Sequence, residues 1–406
     1  MVYAVDQSAQ ATSESERSLQ SLLGVAKELG PVLEAHADYA DSELRLADEV
    51  VTALCEAQLF RIWQPKRYSG LESNVLTQVL VTAELGQYCS SAAWVTALYG
   101  ACQWFAALYS KEAQEEVFGR DTNARVCGVL APSAIVKNVE GGIVVDGRWN
   151  YASGCVHASW ATVGAPRSTG EEGTDLLLIP MRDLVIEKTW DTAGMRGTGS
   201  HTICAKNVFV PGHRVLPFFC ADGVLGGHIA TEYSEEHLYK TPAAGFATIC
   251  VVGPLLGIAK RALRHTLEHI KDRAVAYTFA QDQSQLVSTQ LAVAEAATKI
   301  DSAELHIQKA AADLDIAAPG EKEFGLLPRV RTRQHIGWGT QQLRDAMVIL
   351  KQVNGSSDMQ RGSTFERIWR DFNTSSAHAV LDTSTTSEVY GKVLCGHEPS
   401  VLSALY

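Results

Sequence analysis

Along the first part of the chain, apolar residues recur every three or four positions. The stretches SLQSLLGVAKELGPVLEAHA, LADEVVTALCEAQLF and VLTQVLVTAELGQYCSSAAWVTALYGACQWFAALY carry this period with few β-branched runs, which predicts helices from about Ser15 to Gly119. SKEAQEEVFG (Ser110–Gly119) reads as a short helix with a Ser cap, a Glu in its first turn and a terminal Gly. From about Val126 to Val215 the texture changes to short β-rich stretches separated by Gly, Pro and Asp turns: RVCGVLAPS, GGIVVDGRWNYASG, WATVGAPR, TDLLLIPM and TICAKNVFVPGHRV. The Gly141-Gly142 and Asp146-Gly147 pairs are hairpin signals, so a compact sheet or small barrel is expected here. From about Ala243 long helical patterns return, broken at Pro319-Gly320 and ended at Asn354-Gly355. The expected architecture is mostly α with a central β-domain, the last zone being long enough for a four-helix bundle. Its boundaries fall at residues 1–125, 126–220 and 221–406.

Composition narrows the function more than the fold. The chain has 406 residues, 46% hydrophobic and 20% charged, which is ordinary for a globular protein. A formal net charge of −11 gives no basic stripe for tracking phosphates, which argues against nucleic acid as a partner. Apolar runs such as TICVVGPLLGIA are too short to span a membrane, and no membrane partner is expected. Nine scattered cysteines without a CxxC pair suit reduced thiols, and a cytoplasmic location is the default expectation.

Several motifs carry less than their letters suggest. HTLEH (His265–His269) puts two imidazoles on one helical face in the order of an inverted zinc peptidase. Two ligands do not make a site, the flanks are charge-laced, and no metal is expected. GMRGTGS (Gly194–Ser200) matches neither phosphate-loop fingerprint and reads as a tight β-turn. No G-x-S-x-G elbow occurs, so Ser153 in YASGCVHASW is a poor hydrolase nucleophile.

Four segments, AAWVTALYGACQWFAALYSKEAQEEVFG, GRWNYASGCVHASW, TWDTAGMRGTGSHTICAKNVFVP and RIWRDFNTSSAHAVLD, fall in one order and spacing. Together they resemble the flavin-dependent monooxygenases built on the acyl-CoA dehydrogenase fold, a family that includes hydroxyphenylacetate hydroxylase oxygenases, steroid A-ring hydroxylases and dibenzothiophene monooxygenases. The resemblance runs from about residue 20 to residue 400. It implies an N-terminal helical domain, a middle β-barrel and a C-terminal four-helix bundle, assembled as a homotetramer. It also implies an oxygenase that takes reduced FMN or FAD from a separate NAD(P)H-flavin reductase, forms a C4a-hydroperoxyflavin with O2, and hydroxylates a small aromatic or polycyclic substrate, in natural-product biosynthesis or aromatic catabolism.

The same resemblance assigns expected roles. Ser153 stands where the family places the hydroxyl that holds the flavin N5, with Gly154 letting the backbone approach the ring and Tyr151 packing on it from the same strand face. His378, expected on one helical face with Asp371 and Thr374, would hydrogen-bond the peroxide or take a phenolic proton. Arg273 matches an arginine that reaches the flavin phosphate, the alternative being an ion pair with Asp272 or Glu268. Gly355 and Ser356 lie in the loop NGSSD that approaches the cofactor, from a neighbouring subunit, and Trp190 is a further contact. Cys102 occupies the place where many relatives carry a substrate-facing His, which implies a pocket larger or less suited to a phenolate and weakens the expectation of simple phenol hydroxylation. His157 is expected to pack against Trp160, and Phe218–Lys240 to form a lid. The rival reading, an acyl-CoA dehydrogenase with tightly held FAD, needs a Glu base after the RD pair, and RDFNTSSAHAVLD offers His378 there instead.

Overall fold

The computed structural model describes residues 18–220, 232–233, 235–271, 273–318 and 324–399. The N-terminal part holds α1 (Leu19–Glu28), α2 (Gly30–Ala35), α3 (Ala37–Glu43), α4 (Asp48–Glu56), α5 (Val75–Gly86), α6 (Ser90–Ala106) and α7 (Lys111–Gln114). Ser18 and Asn74 cap α1 and α5, their side chains accepting from Ser21 N and Thr77 N. Almost every residue of α6 is buried, so it serves as the central spar of the molecule rather than as an amphipathic surface helix. Ser110 caps α7 as its sequence predicts, but the helix widens after Gln114 into a π-turn from Glu115 to Gly119.

The central part is two open sheets. One has the order β1 (Val126–Val129), β4 (Trp160–Pro166), β5 (Gly173–Pro180), β8 (Val215–Cys220). The other has the order β2 (Ala134–Val139), β3 (Gly142–Trp149), β7 (Thr202–Pro211), β6 (Val185–Glu187). Among the described residues no sheet closes on itself, so the expected barrel is corrected to a pair of sheets. The Gly141-Gly142 hairpin is present, with Gly141 at φ +79° between β2 and β3. Asp146-Gly147 is not a hairpin. It lies inside β3 at a register shift against β7, where Asp146 accepts a hydrogen bond from Asn207 N at 2.9 Å.

The C-terminal part contains α8 (Ala243–Ile249), α9 (Val252–His269), α10 (Val287–Ala317), α11 (Leu326–Asn354), α12 (Thr364–Ser376) and α13 (Thr383–Leu394). Gly355, at φ +71°, ends α11 where the sequence predicts, while Pro319-Gly320 lies outside the described residues. So does most of Phe218–Lys240, the expected lid. The Ala243–His269 stretch has the length and hydropathy of a membrane span, but 78% of its apolar window is buried within the protein. It packs on α5 at unusually short range, since a Cβ on Gly257 would lie 2.1 Å from the Ala83 carbonyl oxygen.

Candidate active site

β3 ends at Trp149, and the chain then turns sharply instead of continuing as a strand. Tyr151 adopts φ +69°, so it does not share a strand face with Ser153 as its spacing suggests. Two hydrogen bonds knit this turn to the loop before β7: Ala152 N to His201 O at 3.0 Å, and Gly154 N to Thr198 O at 2.8 Å. Tyr99 of α6 donates to Gly154 O at 2.5 Å from below. Gly154 sits at φ +75°, and a Cβ there would be 2.8 Å from the Tyr99 ring, so the position requires glycine twice over.

The turn delivers a buried hydroxyl whose polarity can be derived. Trp94 Nε1 donates to Ser153 Oγ at 3.2 Å, Ser153 Oγ lies 2.7 Å from Ser200 Oγ, and Ser200 Oγ lies 2.6 Å from Thr198 Oγ1. Thr198 spends its hydrogen on the Met195 carbonyl at 2.8 Å. Its oxygen therefore accepts from Ser200, and Ser200 in turn accepts from Ser153. Ser153 is left with its hydrogen committed, one lone pair engaged by Trp94, and one lone pair over. It presents an acceptor.

Helix α12 holds this loop in place. Met195 N donates to Asp371 Oδ1 at 2.6 Å, and Arg370 Nη1 donates to Ala193 O at 2.5 Å. Asp371 also takes a hydrogen bond from Ser90 of α6. Burial pushes its carboxyl up, which the Met195 amide partly offsets. The Arg370 guanidinium, held up by Asp41 and Glu366, ties the same helix to α3.

His378 is not on this helix. α12 ends at Ser376, and His378 starts a short 3-10 turn, Ala379–Leu381, so Asp371 and His378 do not share a helical face. The ring still reaches the site, with its centroid 5.8 Å from the Trp94 ring. It faces outward yet is crowded by protein, and the lost hydration lowers its pKa. Nδ1 accepts from Val380 N at 3.4 Å, which in the neutral imidazole puts the hydrogen on Nε2. His378 thus presents a donor, on a ring that shares Trp94 as a neighbour with Ser153.

Tyr151 and Trp190 complete the rim, meeting edge to face at 6.0 Å with Tyr151 69% exposed. Trp190 is anchored by Nε1 to Met195 O at 2.9 Å. Cys102 lies on α6 two turns beyond Trp94, about 12 Å along the axis at helical rise. Its sulfur packs over Gly128 of β1, and burial raises its thiol pKa. No described hydrogen bond or ring contact joins it to Ser153 or His378. His157 Nε2 lies 3.1 Å from Leu46 O, tying the turn to the loop before α4.

Arg273, Gly355 and Ser356 form a second group. Arg273 Nη2 donates to Asn354 O at 2.7 Å and to Ser357 Oγ at 2.6 Å, which shapes the loop after α11. Its ion-pair partner is Asp358 rather than Glu268, and Asp272 lies outside the described residues. Arg273 Nη1 is buried without a hydrogen bond. None of the described contacts joins this group to the Ser153 group. The residues present fit a flavin: an acceptor and a donor beside the exposed Tyr151 and half-buried Trp190 in one place, and an unsatisfied guanidinium nitrogen beside a glycine loop in the other.

Trp94, Thr198 and Ser200 escape the sequence reading. The one signal for them is the alternation of hydroxyls in GTGS, which is indistinguishable from turn chemistry until Ser153 is brought alongside.

Comparison with known proteins gives the same frame. The family described as "Acyl-CoA dehydrogenase, N-terminal domain" matches residues 22–121, and "Acyl-CoA dehydrogenase, C-terminal domain" matches residues 249–383. The chain is 30% identical to the flavin-dependent monooxygenase oxygenase subunit HsaA of Mycobacterium tuberculosis, over 96% of this chain and 98% of that one. It is 28% identical to the oxygenase component of an FADH2-dependent resorcinol hydroxylase of Rhizobium, over 93% and 95%. Among solved structures, XiaF of Streptomyces in complex with FADH2 and glycerol superposes with a TM-score of 0.87 at 30% identity, covering 94% of this chain and 96% of that one. The chain belongs to the oxygenase subunits of flavin-dependent monooxygenases, enzymes of acyl-CoA dehydrogenase-like fold that act with reduced flavin and O2.

Proposed function

We propose that this oxygenase hydroxylates a phenolic aromatic compound with FADH2 supplied by a separate NAD(P)H-flavin reductase. The observation that carries the reading is that an acceptor, Ser153 Oγ, and a donor-bearing ring, His378, are both brought against the same indole, Trp94. The flavin, when bound, supplies the electrons that let one oxygen atom of O2 enter the substrate while the other leaves as water. Ser153 would accept the hydrogen of the reduced ring nitrogen N5, and Tyr151 and Trp190 would flank the ring. His378 donates from Nε2 to the phenol oxygen and orients the ring carbon beside it. Cys102 lines the far, apolar wall of the substrate pocket. FAD is favoured over FMN because the relative from Rhizobium is FADH2-dependent and the Streptomyces protein binds FADH2.

Arg273, Gly355 and Ser356 would hold the phosphates of a flavin seated in a neighbouring copy, which requires an oligomer, read here as a homotetramer. Supporting this, Val287, Leu291, Leu305 and Ile316 of α10 are exposed at spacings that put them on one face, and Trp338 and Val348 of α11 are exposed as well. Eight described cysteines, all unpaired, suit a reducing cytoplasmic setting. The working division of the chain is 1–125, 126–220 and 221–406.

The test is steady-state coupling. With a flavin reductase, NADH, FAD and a panel of phenols, the protein is expected to form a hydroxylated product in proportion to NADH consumed. Hydrogen peroxide as the sole oxygen product with every phenol would refute the reading. So would reduction of a tightly held FAD by acyl-CoA thioesters.

A further inference from the structure

The HTLEH segment closes α9, and nothing in the oxygenase site uses it. His265 and His269 lie one turn apart with their rings stacked at 5.3 Å and 17°. Facing them is Asp358, on the short turn that follows Gly355. His269 Nε2 is 2.9 Å from Asp358 Oδ1, and His265 Nε2 is 3.8 Å from Asp358 Oδ2. One ligand atom from each of the three residues falls within 4.8 Å of the others.

Two of these atoms are unsatisfied. His265 Nε2 and Asp358 Oδ2 are buried and have no hydrogen-bond partner, a costly state for an imidazole nitrogen and a carboxylate oxygen. Arg273 does not relieve it: Nη1 stands 3.8 Å from Asp358 Oδ2, beyond hydrogen-bonding range, while Nη2 is spent on Asn354 and Ser357. A tetrahedral cation with bonds of about 2.0–2.1 Å holds its ligand atoms roughly 3.3 Å apart. The 2.9 and 3.8 Å contacts run to different oxygens of Asp358, and one ligand atom from each residue lies within 4.8 Å of the others, so shifts of at most about 1.5 Å bring the three to that spacing. The His269 side chain is 42% exposed, which gives a cation a way in and leaves a position for water.

We propose that His265, His269 and Asp358 bind one divalent transition-metal cation of the zinc class. Two imidazoles and a carboxylate select such a cation over magnesium or calcium. The cation joins the end of α9 to the loop that carries Gly355 and Ser356, so it fixes that loop without entering the oxygen chemistry. The site stands independently of the flavin reading.

The test is titration of the chelator-stripped full-length protein with Zn2+ by calorimetry, with metal analysis of the product. One Zn2+ per chain is expected, weakened at least about tenfold in His269→Ala and in Asp358→Asn. His306→Ala, at the separate His306–His335 pair, is expected to leave binding unchanged. Should Asp358→Asn not fold, His265→Ala and His269→Ala decide the matter. Absence of saturable Zn2+ binding by the folded wild-type chain overturns the proposal. Binding that survives both histidine substitutions, or that follows His306, overturns it as well.

Discussion

Ser153 donates to Ser200, accepts from Trp94, and keeps one lone pair, so its part is to receive a hydrogen rather than to give one. Ser153→Ala removes that acceptor and strands the Trp94 N–H. Loss of one such hydrogen bond, about 1–3 kcal/mol, corresponds to roughly a tenfold to hundredfold fall in product relative to hydrogen peroxide. Thr198→Val acts only on the far end of the chain, where Ser200 can reorient, and is expected to cost less in the same assay. At His378 a donor and a base are separable. Because Nδ1 is engaged by Val380 N, both the neutral ring and the imidazolium donate from Nε2. Hydroxylation is therefore expected to stay level as pH falls through the lowered pKa of His378, and His378→Gln to retain more product than His378→Ala. A rate that falls with protonation of His378, with Gln no better than Ala, would assign it the base instead.

At the scale of elements, one helix contact depends on backbone approaching backbone. Gly257→Ala drives a methyl into the Ala83 carbonyl and is expected to cost at least about 1–3 kcal/mol in unfolding experiments, by separating α9 from α5. Most elements are legible in the sequence because the hydrophobic period of α1 to α7 and the Gly141-Gly142 turn are local signals. Asp146-Gly147 misleads because a bulge and a hairpin use the same residues, and only the pairing of β3 on both sides distinguishes them. The site is half legible. Ser153 and His378 stand out by resemblance, but the Ser153–Ser200 contact joins residues 47 apart, and no period or motif encodes it. The end of α12 at Ser376 was equally hidden, since its turn residues read as helix continuation.

At the scale of the molecule, histidines that lose hydration on folding weaken the fold in acid. His157, His265, His306, His335 and His378 all have pKa values lowered by burial. The unfolded chain thus binds more protons than the folded one, and their contribution is present above about pH 6.5 and lost as pH falls below it. Asp315, pushed up to about 6 by burial, opposes this trend only below that pH. The His306 and His335 Nδ1 atoms, 2.8 Å apart across α10 and α11, can share one hydrogen but not two. His335→Gln is expected to flatten the decline of melting temperature between about pH 6.5 and 5.5; an unchanged slope would mean that the pair is not titrating. For the whole enzyme, the decisive experiment is a single turnover under isotopically heavy O2. Reduced FAD, phenolic substrate and excess protein are mixed with the labelled gas, and the product is weighed. The account predicts a product carrying one heavy oxygen atom in the wild-type protein, with label diverted to hydrogen peroxide in Ser153→Ala. A hydroxylated product with unlabelled oxygen, or wild-type flavin reoxidised with all label in hydrogen peroxide, would contradict it.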